Sequence, residues 1–91
     1  MKRYSVVIVE DQRMFRHLMS TLVNSSESFE VVATATDARQ GWECCHEHQP
    51  DVALIDIELP DRSGIDLGMR LLNLPRAPAL VAVSSIVDPV T

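Results

Sequence analysis

Residues 52–64 read VALIDIELPDRSG, and this run decides the fold. Val52, Ala53, Leu54 and Ile55 deliver a carboxylate, Asp56. A short apolar run bounded by turn residues suits a strand buried on both faces, as in a parallel sheet. Pro60 cannot donate to a sheet ladder, so the strand ends before it. Gly64 permits a backbone conformation that residues with a Cβ resist. The run therefore reads as strand, acidic tip, rigid loop and new helix. Open α/β sheets bind ligands outside the carboxyl ends of their strands, so Asp56 is placed for chemistry. The plainer alternative is that Asp56 only caps the next helix.

Working outward, the same grammar repeats. Residues 5–9 are β-branched and apolar, a buried strand that ends in Glu10 and Asp11. Phe15, Leu18, Met19 and Leu22 then recur at helical spacing, with Arg13, Arg16, His17 and Ser20 on the other side. Asn24, Ser25 and Ser26 break that helix. Residues 30–35 predict a second strand. Asp37 with Gln40 makes a capping-box start for a second helix, which buries Ala38, Trp42 and Cys45 and stops at Gln49 and Pro50. The third strand spans residues 51–56, and a third helix over residues 65–73 buries Leu67 and Leu71. Gly68 should weaken that helix by roughly 1 kcal/mol. Beyond Pro75 and Pro78, residues 79–84 form a fourth strand, and residues 86–91 a short tail. Strand and helix alternate, which argues a doubly wound parallel sheet covered on both faces, in one domain over residues 1–91.

Composition narrows the functions. The chain has 91 residues, is 46% hydrophobic and carries a formal net charge of −5, which suits one modest core. A domain this acidic lacks the basic face that direct nucleic-acid binding needs. No apolar run reaches the length of a membrane span. The N-terminus enters a strand without a signal-like segment, and a cytoplasmic location is expected. Cys44 and Cys45 are adjacent, and Cα atoms about 3.8 Å apart fall short of disulfide geometry, which fits a reducing compartment.

The chemistry lies in acids that end strands. Glu10 and Asp11 follow the first strand and Asp56 the third; if those strands are neighbours, the acids converge in one crevice. Crowded carboxylates either hold a proton or admit a cation. All-oxygen ligands favour a hard ion, Mg²⁺ or Ca²⁺. An aspartate beside such an ion can act as a nucleophile toward a phosphoryl group. Ser84 ends the fourth strand on the same rim, where its hydroxyl could donate to a phosphoryl oxygen; alone, it reads as a turn serine.

These residues give the chain a resemblance to the receiver domain of two-component response regulators. The matching features are the acidic pair Glu10 and Asp11, Asp56 with Pro60 four and Gly64 eight residues on, and Ser84 after the fourth strand. The first helix and residues 29–35 also look similar to receivers that precede helix-turn-helix output domains. The resemblance implies a flavodoxin-like sheet in the order 2-1-3-4. It implies that Asp56 accepts a phosphoryl group from a histidine kinase, a phosphotransfer protein or a small acyl phosphate. Mg²⁺ would be held by Glu10, mostly through water, by Asp11 and Asp56, and by the backbone carbonyl of Glu58. Ser84 would move toward the phosphoryl group and pass the change to a transcriptional output. The domain is then a phosphoacceptor with only self-phosphorylation and self-dephosphorylation chemistry, not an enzyme acting on other substrates.

The family also has a lysine at the end of a fifth strand, whereas the only lysine here is Lys2. The chain thus reads as a receiver that is incomplete at its C-terminus, with the fifth strand and last helices missing. Two further expectations follow. The fourth strand becomes an apolar edge through which the chain could dimerise. The alternative function is a phosphorylation-independent interaction module, a pseudo-receiver. Cys44 and His48, four apart on the second helix, tempt a metal reading, but two ligands on a solvated face fall short of a structural zinc site. Asp61, Arg62 and Asp66 read as loop and cap residues.

Overall fold

The computed structural model describes residues 2–84. Strand and helix alternate as β1 (Tyr4–Val9), α1 (Arg13–Asn24), β2 (Phe29–Ala35), α2 (Ala38–His48), β3 (Val52–Asp56), α3 (Gly64–Leu71) and β4 (Ala79–Val83). The strands form one parallel sheet, as the alternation predicts, in the flavodoxin-like order β2-β1-β3-β4 that the resemblance implies. The tail expected at residues 86–91 lies outside the described residues.

β1 sits between β2 and β3, and its Val6, Val7, Ile8 and Val9 are at most 2% exposed. Strand side chains alternate between faces, so the core divides in two. Val7, Val9, Ala53 and Ile55 face α2 and α3, where Ala38, Cys45, Leu67 and Leu71 close over them. Burying Leu67 and Leu71 contributes roughly 1.5–3 kcal/mol each. Val6 and Ile8 face α1 and meet Met19, with Phe15 and Val23 beside it. A single helix covers this second face among the described residues. Val52 and Leu54 are therefore only half-buried, and β3 is fully covered on one face, not both.

The inward stripe of α1 also differs from the one expected. Phe15, Met19 and Val23 pack on the sheet, while Leu18 and Leu22 are 50% and 62% exposed. Both stripes satisfy helical periodicity and share Phe15 and Met19, so spacing alone does not choose between Leu22 and Val23. On α2, Gly41 takes the buried position between Ala38 and Cys45, and Trp42 is half-buried. Cys44 packs partly against the same core and does not point away from it.

The helix starts follow local chemistry. Asp37 caps α2 by accepting from Gln40 N at 2.8 Å. The Gln40 side chain reaches back one residue further than a capping box requires, accepting from Thr36 N at 3.1 Å. Ser63 caps α3 by accepting from Ile65 N. Gln49 ends α2 in the left-handed region, with φ 46°, just before Pro50. At the amino end of the sheet, Asp51 precedes β3 instead of opening it. It accepts from Ser5 N at 2.8 Å and pairs with Arg76 at 3.0 Å, stitching β1 to the segment before β4.

Candidate functional site

The register sets the site. Val9 pairs with Ile55, so the next residues out, Glu10 and Asp56, lie side by side at the carboxyl rim. Glu10 N donates to Ala35 O at 2.9 Å, which holds the chain on the sheet one residue past β1. The backbone then turns into α1, bringing Asp11 to the mouth. Carboxylate oxygens of Glu10, Asp11 and Asp56 all lie within 4.8 Å of one another, with Glu10 and Asp56 buried and Asp11 exposed. The convergence expected from the sequence is thus present.

Glu10 Oε2 accepts from Gln12 N at 3.0 Å. Its other oxygen, Oε1, is buried with no hydrogen-bond partner among the described residues. Burial is the main force pushing the Glu10 carboxyl up, to about 7; the Gln12 N–H pulls it down, while Asp56 and Asp11 push it further up. An orphaned buried acceptor among three acids is an arrangement that a proton or a cation satisfies. The donors are all oxygen, and the mouth is open to water at Asp11, which fits a hard, partly hydrated ion such as Mg²⁺.

The loop after β3 is shaped around Asp56. Glu58 N donates to Asp56 Oδ1 at 3.0 Å, and Glu58 bridges to Ser63 across the turn. Gly64 N donates to Ile57 O at 2.7 Å, bringing the start of α3 onto the Asp56 backbone. A Cβ at Gly64 would collide with the Asp56 carbonyl oxygen and come within 2.9 Å of Ile55 Cγ2. Its φ is not positive, so the need for glycine here is close approach and not the unusual conformation expected. Ser84 follows Val83, the β4 residue paired with Asp56, and is exposed on the same rim.

Two contacts were not legible as site features. Arg16 reads from sequence as solvent-facing, yet its Nη1 donates to Glu10 O at 2.9 Å and to Asp11 O at 3.3 Å. Asp61, read as a loop or cap residue, caps a helix remote in sequence. Its carboxylate accepts from Ala38 N at 2.9 Å and Arg39 N at 3.1 Å on α2. The Ala38 N–H is the main cause holding the Asp61 carboxyl below its ordinary range. Cys44 and Cys45 are free thiols, both raised by burial, Cys45 to about 12. His48 is exposed and lies 3.8 Å from Glu47.

Comparison with known proteins agrees with the fold. Residues 6–90 match the family described as the response regulator receiver domain. The protein-glutamate methylesterase/protein-glutamine glutaminase 2 of Bordetella avium is 39% identical over 88 residues, covering 97% of this chain and 25% of that protein. The chain thus spans about a quarter of the length of the curated relatives it matches. The crystal structure of the response regulator domain of Thermotoga maritima CheB superposes with a TM-score of 0.84 at 29% identity, over 92% of this chain and 62% of that one. A DNA-binding response regulator of the LuxR family from Staphylococcus aureus gives a TM-score of 0.83 at 26% identity, over 94% and 72%.

Proposed function

The chain belongs to the response regulator receiver domain family, and from that premise we propose that it accepts a phosphoryl group on Asp56. The observation that carries this is the convergence of Glu10, Asp11 and Asp56 at one rim, with a buried oxygen of Glu10 lacking a partner. The donor is a histidine kinase or a phosphotransfer protein. A carboxylate oxygen of Asp56 attacks phosphorus, the bond from phosphorus to the donor nitrogen breaks, and an acyl phosphate forms. Glu58 N–H, bonded to Oδ1, fixes the rotation of the carboxylate. Asp11, Asp56, the Glu58 carbonyl and, mostly through water, Glu10 would hold Mg²⁺, which when bound would supply charge neutralisation between the nucleophile and the phosphoryl oxygens. Ser84 at the end of β4 donates its hydroxyl to a phosphoryl oxygen, and its displacement carries the signal away from the site.

For the output, protein modification fits better than the transcriptional role expected from sequence. Curated relatives aligned over nearly the whole chain include methylesterase/glutaminase proteins of Bordetella avium and Burkholderia pseudomallei. With a net charge of −5, the domain itself is not the part that contacts nucleic acid. Among the described residues no helix is long and apolar enough to cross a membrane, and we place the domain in the cytoplasm with its kinase.

The test is to incubate the protein with Mg²⁺ and a small acyl phosphate and to weigh it. A gain of one phosphoryl group, absent in Asp56→Asn and in the presence of a chelator, is expected. No gain, together with partner binding that survives Asp56→Ala, would replace this reading with a phosphorylation-independent interaction module.

A further inference from the structure

The segment from Glu10 to Gln12 carries two of the three acids yet has few fixed points. Glu10 is held by its N–H on Ala35 and by its carboxylate on Gln12 N. Asp11 is exposed, and the α1 N-cap, Gln12, makes no side-chain capping bond. Nothing in the first turn of α1 is acidic, so beyond Glu10 on Gln12 N no carboxylate is described as steadying the turn. Arg16, one turn into the helix, fills this gap from the outside. Its Nη1 forks to the carbonyls of both Glu10 and Asp11, at 2.9 and 3.3 Å. The base of the arginine is itself fixed, since Arg16 N donates to Gln12 O at 2.8 Å and Ser20 Oγ donates to Arg16 O at 2.9 Å. A half-buried guanidinium therefore ties two consecutive peptide units whose side chains point into the acidic crevice.

We infer that Arg16 is a positioning residue for the metal-binding acids, holding the backbone of Glu10 and Asp11 so that their carboxylates meet Asp56. This deepens the function proposed above and rests on it. The sign of the effect separates geometry from electrostatics. A fixed positive charge beside a cation site repels the cation, so on charge alone, neutralising Arg16 tightens Mg²⁺ binding. If Arg16 acts by holding the loop, neutralising it weakens Mg²⁺ binding, as loss of partners that orient metal ligands does, by about tenfold or more. Lysine keeps the charge, but its ammonium ends one bond short of the Nη1 position that reaches both carbonyls and lacks the fixed plane of the guanidinium.

The experiment measures Mg²⁺ affinity by titration calorimetry for the wild-type chain, Arg16→Gln, Arg16→Lys and Arg13→Gln. Protection of the Gln12 amide from hydrogen exchange is read in parallel without metal. Arg13 is exposed on the same helix and makes no bond to the loop among the contacts described, so it controls for charge. The expected result is about tenfold weaker binding in Arg16→Gln with faster Gln12 exchange, a smaller loss in Arg16→Lys, and unchanged or slightly tighter binding in Arg13→Gln. If Arg16→Gln does not fold, Arg16→Lys decides: weaker binding supports the inference and wild-type affinity overturns it. Equal or tighter binding in a folded Arg16→Gln overturns the inference while leaving the metal site standing. A wild-type chain that takes no Mg²⁺ overturns the reading beneath it as well.

Discussion

At the scale of single residues, Glu10 is buried with one carboxylate oxygen on Gln12 N and the other without a partner among the described residues, so its charge is resisted by the fold. Its folded value of about 7 stands above the ordinary 4.5, so between those two pH values the folded state keeps a proton that the unfolded state has released. Stability therefore falls as pH rises through that window and is fully present below it. Asp51 and Asp61 act in the opposite sense: both are held below 3.8 by backbone N–H donors, so their stabilisation is lost as pH falls through the acid range. Denaturant titrations at pH 5 and pH 7.5 in a chelator should show lower stability at the higher pH, with the slope flattened by Mg²⁺ and by Glu10→Gln. A pH-independent midpoint in that interval would reject this account. The three acids were legible in the sequence because strand-ending carboxylates follow from strand boundaries. Arg16 was not, because an arginine on the polar side of a helix looks the same whether it meets water or a neighbouring carbonyl.

At the scale of elements, the loop between β3 and α3 is tied to a helix it does not adjoin in sequence. Asp61 satisfies Ala38 N and Arg39 N, and Asp37 satisfies Gln40 N, so three of the four orphan amides that open α2 are covered by two carboxylates. Asp61 also adds negative charge where the helix dipole is positive. Asp61→Ala should cost about 1–2 kcal/mol, the scale of a lost N-cap, and Asp61→Asn less. Because the loop carries Glu58, whose N–H meets Asp56, the same change should raise hydrogen exchange at both Glu58 and Ala38. Exchange that rises at Ala38 alone would mean that the tie does not reach the site. The strands and helices themselves were readable from apolar runs and from caps such as Asp37. The face of α1 was not, since Leu22 and Val23 fit the same periodicity and only the position of the sheet separates them. Gly68 shows the same limit: read as a weakness in a helix, it sits buried where an added Cβ would come within 3.3 Å of Leu80 Cδ1.

At the scale of the whole molecule, the order β2-β1-β3-β4 leaves β4 bonded on one side only among the described residues. Apolar surface flanks that edge on both faces. On one face Ile65, Met69 and Leu72 recur at helical spacing along and just past α3, 57%, 64% and 59% exposed, and line a groove with Leu80 and Ala82. On the other, Leu22 and Phe29 border a second groove with Val52, Leu54 and Val81. A strand edge with open backbone groups and apolar flanks is a template for another strand. An edge of this kind, as residues 2–84 present it, predicts self-association through β4, with two copies extending one sheet and covering both grooves at once. Sedimentation velocity should show a dimer growing with concentration. Val81→Lys, which puts a charge on a residue 45% exposed at this edge, should return the chain to monomer without lowering its unfolding midpoint. A single monomeric boundary at the highest soluble concentration would mean that the edge is protected by means other than pairing. Loss of stability in Val81→Lys would place Val81 in the core, against its exposure.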